Sequence, residues 1–209
     1  MNMIQNGIDI SHWNLVQDFS KVKNDGVSFI ILKAGGSDKG FYEDVMFSTY
    51  YERAKKEGFH LGAYYFVGKN FKGYKNGTAD AKRFIRLLRN KKFDMPLYVD
   101  VESTNPKDKV EVTDATIAFC DYVEACGGFA GIYSSDISGF RERLDLSRLE
   151  NRYSLWVARY GSTPKNVKNY GIWQWSSTGK VRGISGNVDL NKMLIDYPTI
   201  IRKRGLNIL

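Results

Sequence analysis

Short apolar segments recur along the chain, each followed by a longer polar or amphipathic stretch, and this alternation limits the fold more than any other feature. Seven such segments are Gly7–Ile10, Val27–Lys33, Leu61–Val67, Pro96–Val101, Phe129–Ser134, Ser154–Ala158 and Gly171–Trp175. They are rich in Val, Ile, Tyr, Phe and Trp and are bounded by Gly or Pro, as buried strands are. Between them, helices are expected at Asp44–Lys56, stopped by Gly58, at Thr78–Asn90, and at Thr113–Cys126, closed by Gly127-Gly128. In the second of these, Ala81, Phe84, Ile85 and Leu88 form an apolar stripe, while Lys82, Arg83, Arg86 and Arg89 take the solvent side. Strands alternating with helices point to an α/β fold on a parallel sheet, here a barrel. After Phe129 the helices shorten and the strands crowd together, so the last third reads as β-rich. No Pro/Ser/Gly-rich linker and no internal repeat divides the chain, which makes residues 1–209 one expected domain.

Composition removes several classes. A chain of 209 residues that is 43% hydrophobic can bury a large core and is not disordered. No apolar run approaches the roughly 18 residues of a membrane-spanning helix. Cys120 and Cys126 lie six residues apart on an expected helix, a rise of about 9 Å against a disulfide limit of about 7 Å, so both should be reduced thiols. Two histidines, His12 and His60, and no Cys-x-x-Cys pair leave little material for a metal, and no cofactor is expected. Met1–Gly7 lacks a basic stretch followed by an apolar one, so no signal peptide is expected; the basic end Ile200–Leu209 reads as a loosely packed terminus. The net charge of +8 favours a polyanionic partner. The basic residues are scattered over helices and the tail, without a recognised nucleic-acid module, so nucleic acid is not the expected partner.

In a barrel, chemistry collects at the C-terminal ends of the strands. Asp9 closes the first expected strand, Asp100 and Glu102 close Met95-Pro-Leu-Tyr-Val-Asp-Val-Glu102, and Asp189 lies in Gly186-Asn-Val-Asp-Leu-Asn191. Positions i and i+2 of a strand leave one face about 6–7 Å apart. Two carboxylates so placed disfavour each other's charge, which keeps one protonated as a general acid beside an ionised partner. Glycoside hydrolysis uses such a pair. Tyr64, Phe66, Tyr133, Trp156 and Trp175 end or occupy neighbouring strands, where rings at a barrel mouth would offer flat platforms to sugars. Lys33 ends an otherwise apolar strand and is expected to reach the mouth as a counter-charge or donor.

Gly7-Ile-Asp-Ile-Ser-His-Trp13, Phe29-Ile-Ile-Leu-Lys-Ala34, Gly62-Ala-Tyr-Tyr-Phe66, Pro96-Leu-Tyr-Val-Asp-Val-Glu102, Gly131-Ile-Tyr-Ser134, Leu155-Trp-Val-Ala158, Trp173-Gln-Trp175 and Val188-Asp-Leu-Asn191 together resemble glycoside hydrolase family 25, the lysozymes of the Chalaropsis type. The blocks follow the family's order across nearly the whole chain. The resemblance implies an irregular TIM-like barrel with eight strands and fewer than eight helices. It implies cleavage of the β-1,4 bond between N-acetylmuramic acid and N-acetylglucosamine in peptidoglycan, outside the cell that makes the protein. Carried over by motif, Glu102 would be the general acid/base and Asp100 the second carboxylate, stabilising positive charge or orienting the substrate's 2-acetamido group. Asp9 and Asp189 would line the same pocket, and Tyr64, Tyr133, Trp156 and Trp175 would shape the groove with Lys33 nearby. Peptidoglycan is thus the expected partner, met by a monomer with no stable membrane association.

Two departures from the family's pattern bear on hydrogen bonding around the site. Lys33-Ala-Gly-Gly36 replaces Lys-Ala-Thr-Glu-Gly, and Tyr65 replaces a histidine. A non-catalytic glycan-binding module is the competing class, against which the presence of all four acids counts. A glycosidase acting on another N-acetylated glycan, such as chitin, is the nearest enzymatic alternative. A basic exterior would concentrate the protein on polyanionic walls, an attraction that salt weakens.

Overall fold

The computed structural model describes residues 4–209; the reading of Met1–Gly7 as leaderless therefore falls partly outside the described residues. Eight strands close a barrel: β1 (Gln5–Ile10), β2 (Phe29–Gly36), β3 (His60–Phe66), β4 (Leu97–Asp100), β5 (Ala130–Ser135), β6 (Ser154–Ala158), β7 (Ile172–Gly179) and β8 (Val188–Met193). The strands from β1 to β7 run parallel to their neighbours, with β1 beside β2. β8 is antiparallel to both β7 and β1 and so seals the barrel. Among the described residues five α-helices accompany them: α1 (Phe19–Asn24), α2 (Phe47–Lys56), α3 (Gly73–Leu87), α4 (Lys109–Ala125) and α5 (Tyr197–Arg204). Among the described residues no helix is long and apolar enough to cross a membrane.

The expected helices are all present with shifted ends. α2 begins at Phe47 because the buried Asp44 carboxylate is committed to the Met46 N–H and to the backbone and ring of His12. α3 and α4 each start about a turn earlier than the apolar stripes suggest. Cys120 and Cys126 are both free thiols. The chain end corrects the expectation of loose packing. Asp196 caps α5 by accepting from the Thr199 N–H, Tyr197 and Ile201 are buried one turn apart, and the fully buried Asn207 bridges the Phe129 N–H and the Met95 carbonyl. That end closes the bottom of the barrel.

Strand alternation sorts the side chains into two layers. The outward face of β2, β3, β4 and β5 packs against α2, α3 and α4. The inward layer fills the barrel with Phe29, Ile31, Met95, Tyr98, Tyr133, Trp156, Ile172 and Met193. Such bulk fits only where facing positions are small: a Cβ at Gly7 would lie 2.4 Å from the Phe29 ring, and one at Gly131 would lie 2.3 Å from Tyr98. With the lower barrel solid, the remaining inward positions at the strands' C-terminal ends form a recess.

The segment after β5 is a short π-helix, Asp136–Arg141, and it anchors the loop after β6. The buried Asp136 carboxylate accepts from Arg159 Nη1 (2.6 Å), Asn166 Nδ2 (3.1 Å) and the N–H groups of Lys165, Asn166 and Val167. Burial pushes its carboxyl up, but these donors outweigh burial and hold it below the ordinary value. A group with a depressed folded pKa stabilises the fold above its unfolded value, about 3.9, and that contribution is lost as pH falls through the folded value. Asp136→Asn is expected to cost about 3–5 kcal/mol at pH 7 because Arg159 loses its buried partner. Urea unfolding at pH 7 and pH 3 checks this, with the gap between wild type and variant narrowing at pH 3.

Candidate active site

The recess at the barrel mouth has a volume of about 270 Å³. Inward positions of six strands build it: Asp9 from β1, Lys33 from β2, Tyr64 and Phe66 from β3, Asp100 from β4, Tyr133 from β5 and Trp156 from β6; Glu102, Gln174 and Asp189 complete the wall. The four acids expected from the sequence are therefore brought together, as are Lys33, Tyr64, Phe66, Tyr133 and Trp156. β4 itself ends at Asp100, and Glu102 stands two residues beyond on the same side.

Trp175 is not among the lining residues, and here the expectation needs correction. Strand parity puts Gln174 inward, so its neighbours Trp173 and Trp175 face outward, where the Lys192 ammonium lies 5.4 Å from the Trp175 ring. Trp156 lies in the recess but is only 1% exposed, so it is a floor and not a stacking platform. Its ring packs against Tyr133 at 4.3 Å and Tyr98 at 5.2 Å. The exposed ring at this mouth is Trp13, on the loop after β1, which is 81% exposed and leans on His12 at 4.5 Å. Tyr65 faces outward against Phe84 and Phe119, so the departure at that position lies outside the recess.

Hydrogen bonds fix the polarity of the floor. Tyr133 and Tyr160 hydroxyls donate to Gln174 Oε1 at 2.8 and 2.9 Å, and the Trp156 indole donates to Asn191 Oδ1 at 2.7 Å. Both amides must then turn their NH₂ groups to Asp9 Oδ2, at 2.9 and 2.7 Å. Asp189 is the cross-strand partner of Asp9. Burial first, and the Asp189 charge second, push the Asp9 carboxyl well up, against the lowering by Asn191 and Gln174. Burial also raises Asp189, while the bond from Asp9 lowers it. Burial and mutual repulsion thus disfavour a full negative charge on both Asp9 and Asp189.

Asp100 is 4% exposed and its Oδ1 has no partner. Burial, then the Glu102 charge, pushes its carboxyl well up; Lys33 opposes this and Asp9 adds to it. Glu102 is the exposed acid of the set, yet desolvation of its carboxyl by the walls of the recess pushes it up, with Lys33 and Arg143 pulling down and Asp189 pushing up. The Lys33 ammonium lies 4.5 Å from the Phe66 ring centroid and 5.9 Å from Tyr64, held between rings.

A second cavity of about 530 Å³ shares Glu102 and Tyr133 with the first and extends over Ser135, Ser138, Arg159 and Tyr160. Glu102 stands at the junction of the two. Arg143 ties this junction together, its Nε donating to the Thr104 carbonyl at 2.8 Å and its Nη1 to the Ser138 carbonyl. Sequence reasoning missed Arg143 and Tyr160, which lie in none of the quoted motifs, and it passed over Gln174 and Trp13 although both stand inside quoted motifs. Arg143→Met is expected to move the Glu102-controlled limb of the activity profile to higher pH, since the cation that lowers this acid is gone. Arg143→Lys should restore the limb, and initial rates across pH check both.

The model of the family Glycosyl hydrolases family 25 matches residues 8–184. "Autolytic lysozyme" of Clostridium acetobutylicum is 28% identical over 187 residues, covering 89% of this chain and 55% of its own length. The chain thus spans about half the length of that curated relative. Among solved structures, the CTP1L endolysin superposes with a TM-score of 0.81 at 27% identity, covering 95% of this chain and 70% of its own. The bacterial lysozyme from Streptomyces coelicolor superposes with a TM-score of 0.78 at 26% identity, covering 100% and 99%.

Proposed function

The chain belongs to glycosyl hydrolases family 25, and from that premise we propose that it is a lysozyme-type peptidoglycan hydrolase that cleaves the β-1,4 bond between N-acetylmuramic acid and N-acetylglucosamine. The observation that supports this best is Glu102 at the junction of two cavities, one lined by acids and the other by neutral and paired groups. A glycosidic oxygen at the junction would place the reacting sugar in the first cavity and the leaving sugar in the second.

Protonated Glu102 gives its proton to the glycosidic oxygen as the C1–O bond breaks. The substrate's acetamido carbonyl oxygen closes on C1 in its place. The unpartnered Asp100 Oδ1 accepts the acetamido N–H and so increases the electron density on that carbonyl. Water then attacks C1, breaking its bond to the acetamido oxygen, and loses its proton to the Glu102 carboxylate, which restores the acid and retains the anomeric configuration. Lys33 pulls Asp100 and Glu102 back toward their charged forms, and the mutual repulsion of the buried Asp9 and Asp189 limits the negative charge beneath C1. A covalent glycosyl adduct on Asp100, trapped and found by mass spectrometry, would contradict acetamido participation.

Under this reading the chain acts as one catalytic unit and as a monomer, on the wall outside the cell. It needs no cofactor, no nucleic acid and no stable membrane association. The test is incubation with purified peptidoglycan. Soluble fragments with new reducing ends are expected, whereas retention on the wall without release would favour a non-catalytic glycan-binding module.

A further inference from the structure

The acids occupy one end of the barrel and leave the net charge of +8 to be placed elsewhere. At the opposite end, where the strands begin, the end of α2, the loop before β4 and the region of α5 enclose a cleft of about 370 Å³. Phe59, Leu61, Phe93, Ile201 and Leu206 form its apolar floor, and Lys55, Lys92 and Arg202 stand on its rim. Two further cations flank it. The Lys23 ammonium lies 4.7 Å from the Phe59 ring, and Lys91 lies 5.7 Å from the Tyr51 ring that Lys55 approaches at 5.2 Å.

None of these five cations forms an ion pair among the described residues. The one acid in the lining, Asp94, is engaged by the His60 ring and the Leu61 N–H. Cations in the last turns of α1, α2 and α5 offset helix dipoles. Lys91 and Lys92 belong to no helix, so that account does not cover them. Five cations thus face one acid in the lining, Asp94, with Asp196 acting on Arg202 from outside it, an excess of positive charge whose repulsion an external anion would relieve.

We propose that this cleft is a second binding site, remote from the acids, for a wall polymer in which phosphodiesters alternate with short polyol units. Each phosphate meets an ammonium or guanidinium on the rim, and the uncharged spacers lie along the apolar floor. The cations ring a recess, whereas a lipid surface would be met by apolar side chains standing clear of the face. Of the lining residues, Ile208 is the one large apolar side chain so exposed. The inference rests on the wall-hydrolase reading and adds to it a means of retention that does not compete with the catalytic groove.

The test compares the full chain, the variant Lys92→Gln/Arg202→Gln and a control of equal charge, Lys107→Gln/Lys180→Gln. Each is measured for sedimentation with purified walls before and after acid extraction of the phosphodiester polymer, for binding to phosphatidylglycerol vesicles, and for hydrolysis of the extracted peptidoglycan. The cleft variant should bind intact walls about ten-fold more weakly than wild type, with the control unchanged. Extraction should bring wild type down to the level of the cleft variant, and all three should hydrolyse extracted peptidoglycan equally. Equal losses in variant and control, no loss in the variant, or wild-type binding to vesicles but not to the polymer would overturn the site. Absence of hydrolysis in all three would instead refute the wall-hydrolase reading, while the sedimentation result still judges the cleft.

Discussion

Glu102→Gln is expected to reduce hydrolysis of peptidoglycan by about 10²–10⁴-fold, the range that a positioned general acid contributes, with the melting temperature close to wild type. Glutamine keeps the shape and the hydrogen bonding but cannot deliver a proton to the glycosidic oxygen. Glu102 is exposed at the junction of the two cavities and makes no hydrogen bond that holds the barrel together, so the loss should be purely chemical. Release of soluble fragments, measured beside a thermal melt, checks both halves. Clearing at the wild-type rate would remove Glu102 from the reaction.

Asp100→Asn is expected to do two opposite things. Activity should fall by a similar order, since a charged acceptor for the acetamido N–H becomes a neutral amide and the partner charge of Glu102 goes. Stability at neutral pH should rise. Burial and the neighbouring Glu102 charge raise the Asp100 carboxyl in the fold, so folding penalises its charged form. For such an acid, stability is lost as pH climbs above the unfolded value of about 3.9, because the unfolded chain ionises more readily than the folded one. A neutral amide avoids that penalty. The variant's advantage in melting temperature should therefore be present at pH 7 and shrink toward zero as pH falls below about 3, where wild type is protonated in both states. A variant less stable than wild type at pH 7 would mean that Asp100 serves the fold.

The same opposition explains which parts of the molecule were legible in its sequence. The barrel was, because its strands are short, apolar and regularly spaced, and the acids were, because each ends such a strand. The aromatic wall was legible only in part. The motif Trp173-Gln-Trp175 invites the tryptophans into the groove, but the inward face of β7 is fixed by Ile172 inside the barrel, and two residues on from Ile172 comes Gln174. Parity could have been read from β8, where Asp189 and Asn191 share a face and Asn191 joins Gln174 in holding Asp9. Arg143 lay beyond reach because its partners are carbonyl oxygens, which leave no trace in side-chain identity. The C-terminal helix was legible in Asp196, Pro198, the Tyr197–Ile201 spacing and Gly205, but its basic composition pointed to an exposed tail.

Two amides aimed at one carboxylate oxygen, two acids paired across antiparallel strands and a third acid with an unpartnered oxygen form a site of conflicting charges beside a solid aromatic floor. Such a site costs stability, and its cost is recovered only when a substrate supplies the missing donors. That is the physical reason to treat the recess as the centre of the chemistry and the basic cleft at the other end as a matter of attachment.

The central claim is that the acid-lined cavity holds the sugar whose C1 reacts and that this sugar is N-acetylmuramic acid. Digestion of purified peptidoglycan, borohydride reduction of the new ends and identification of the reduced sugar test it most directly. N-acetylmuramitol at the new ends is the expected result. N-acetylglucosaminitol there, or the absence of any new reducing end, would contradict the account.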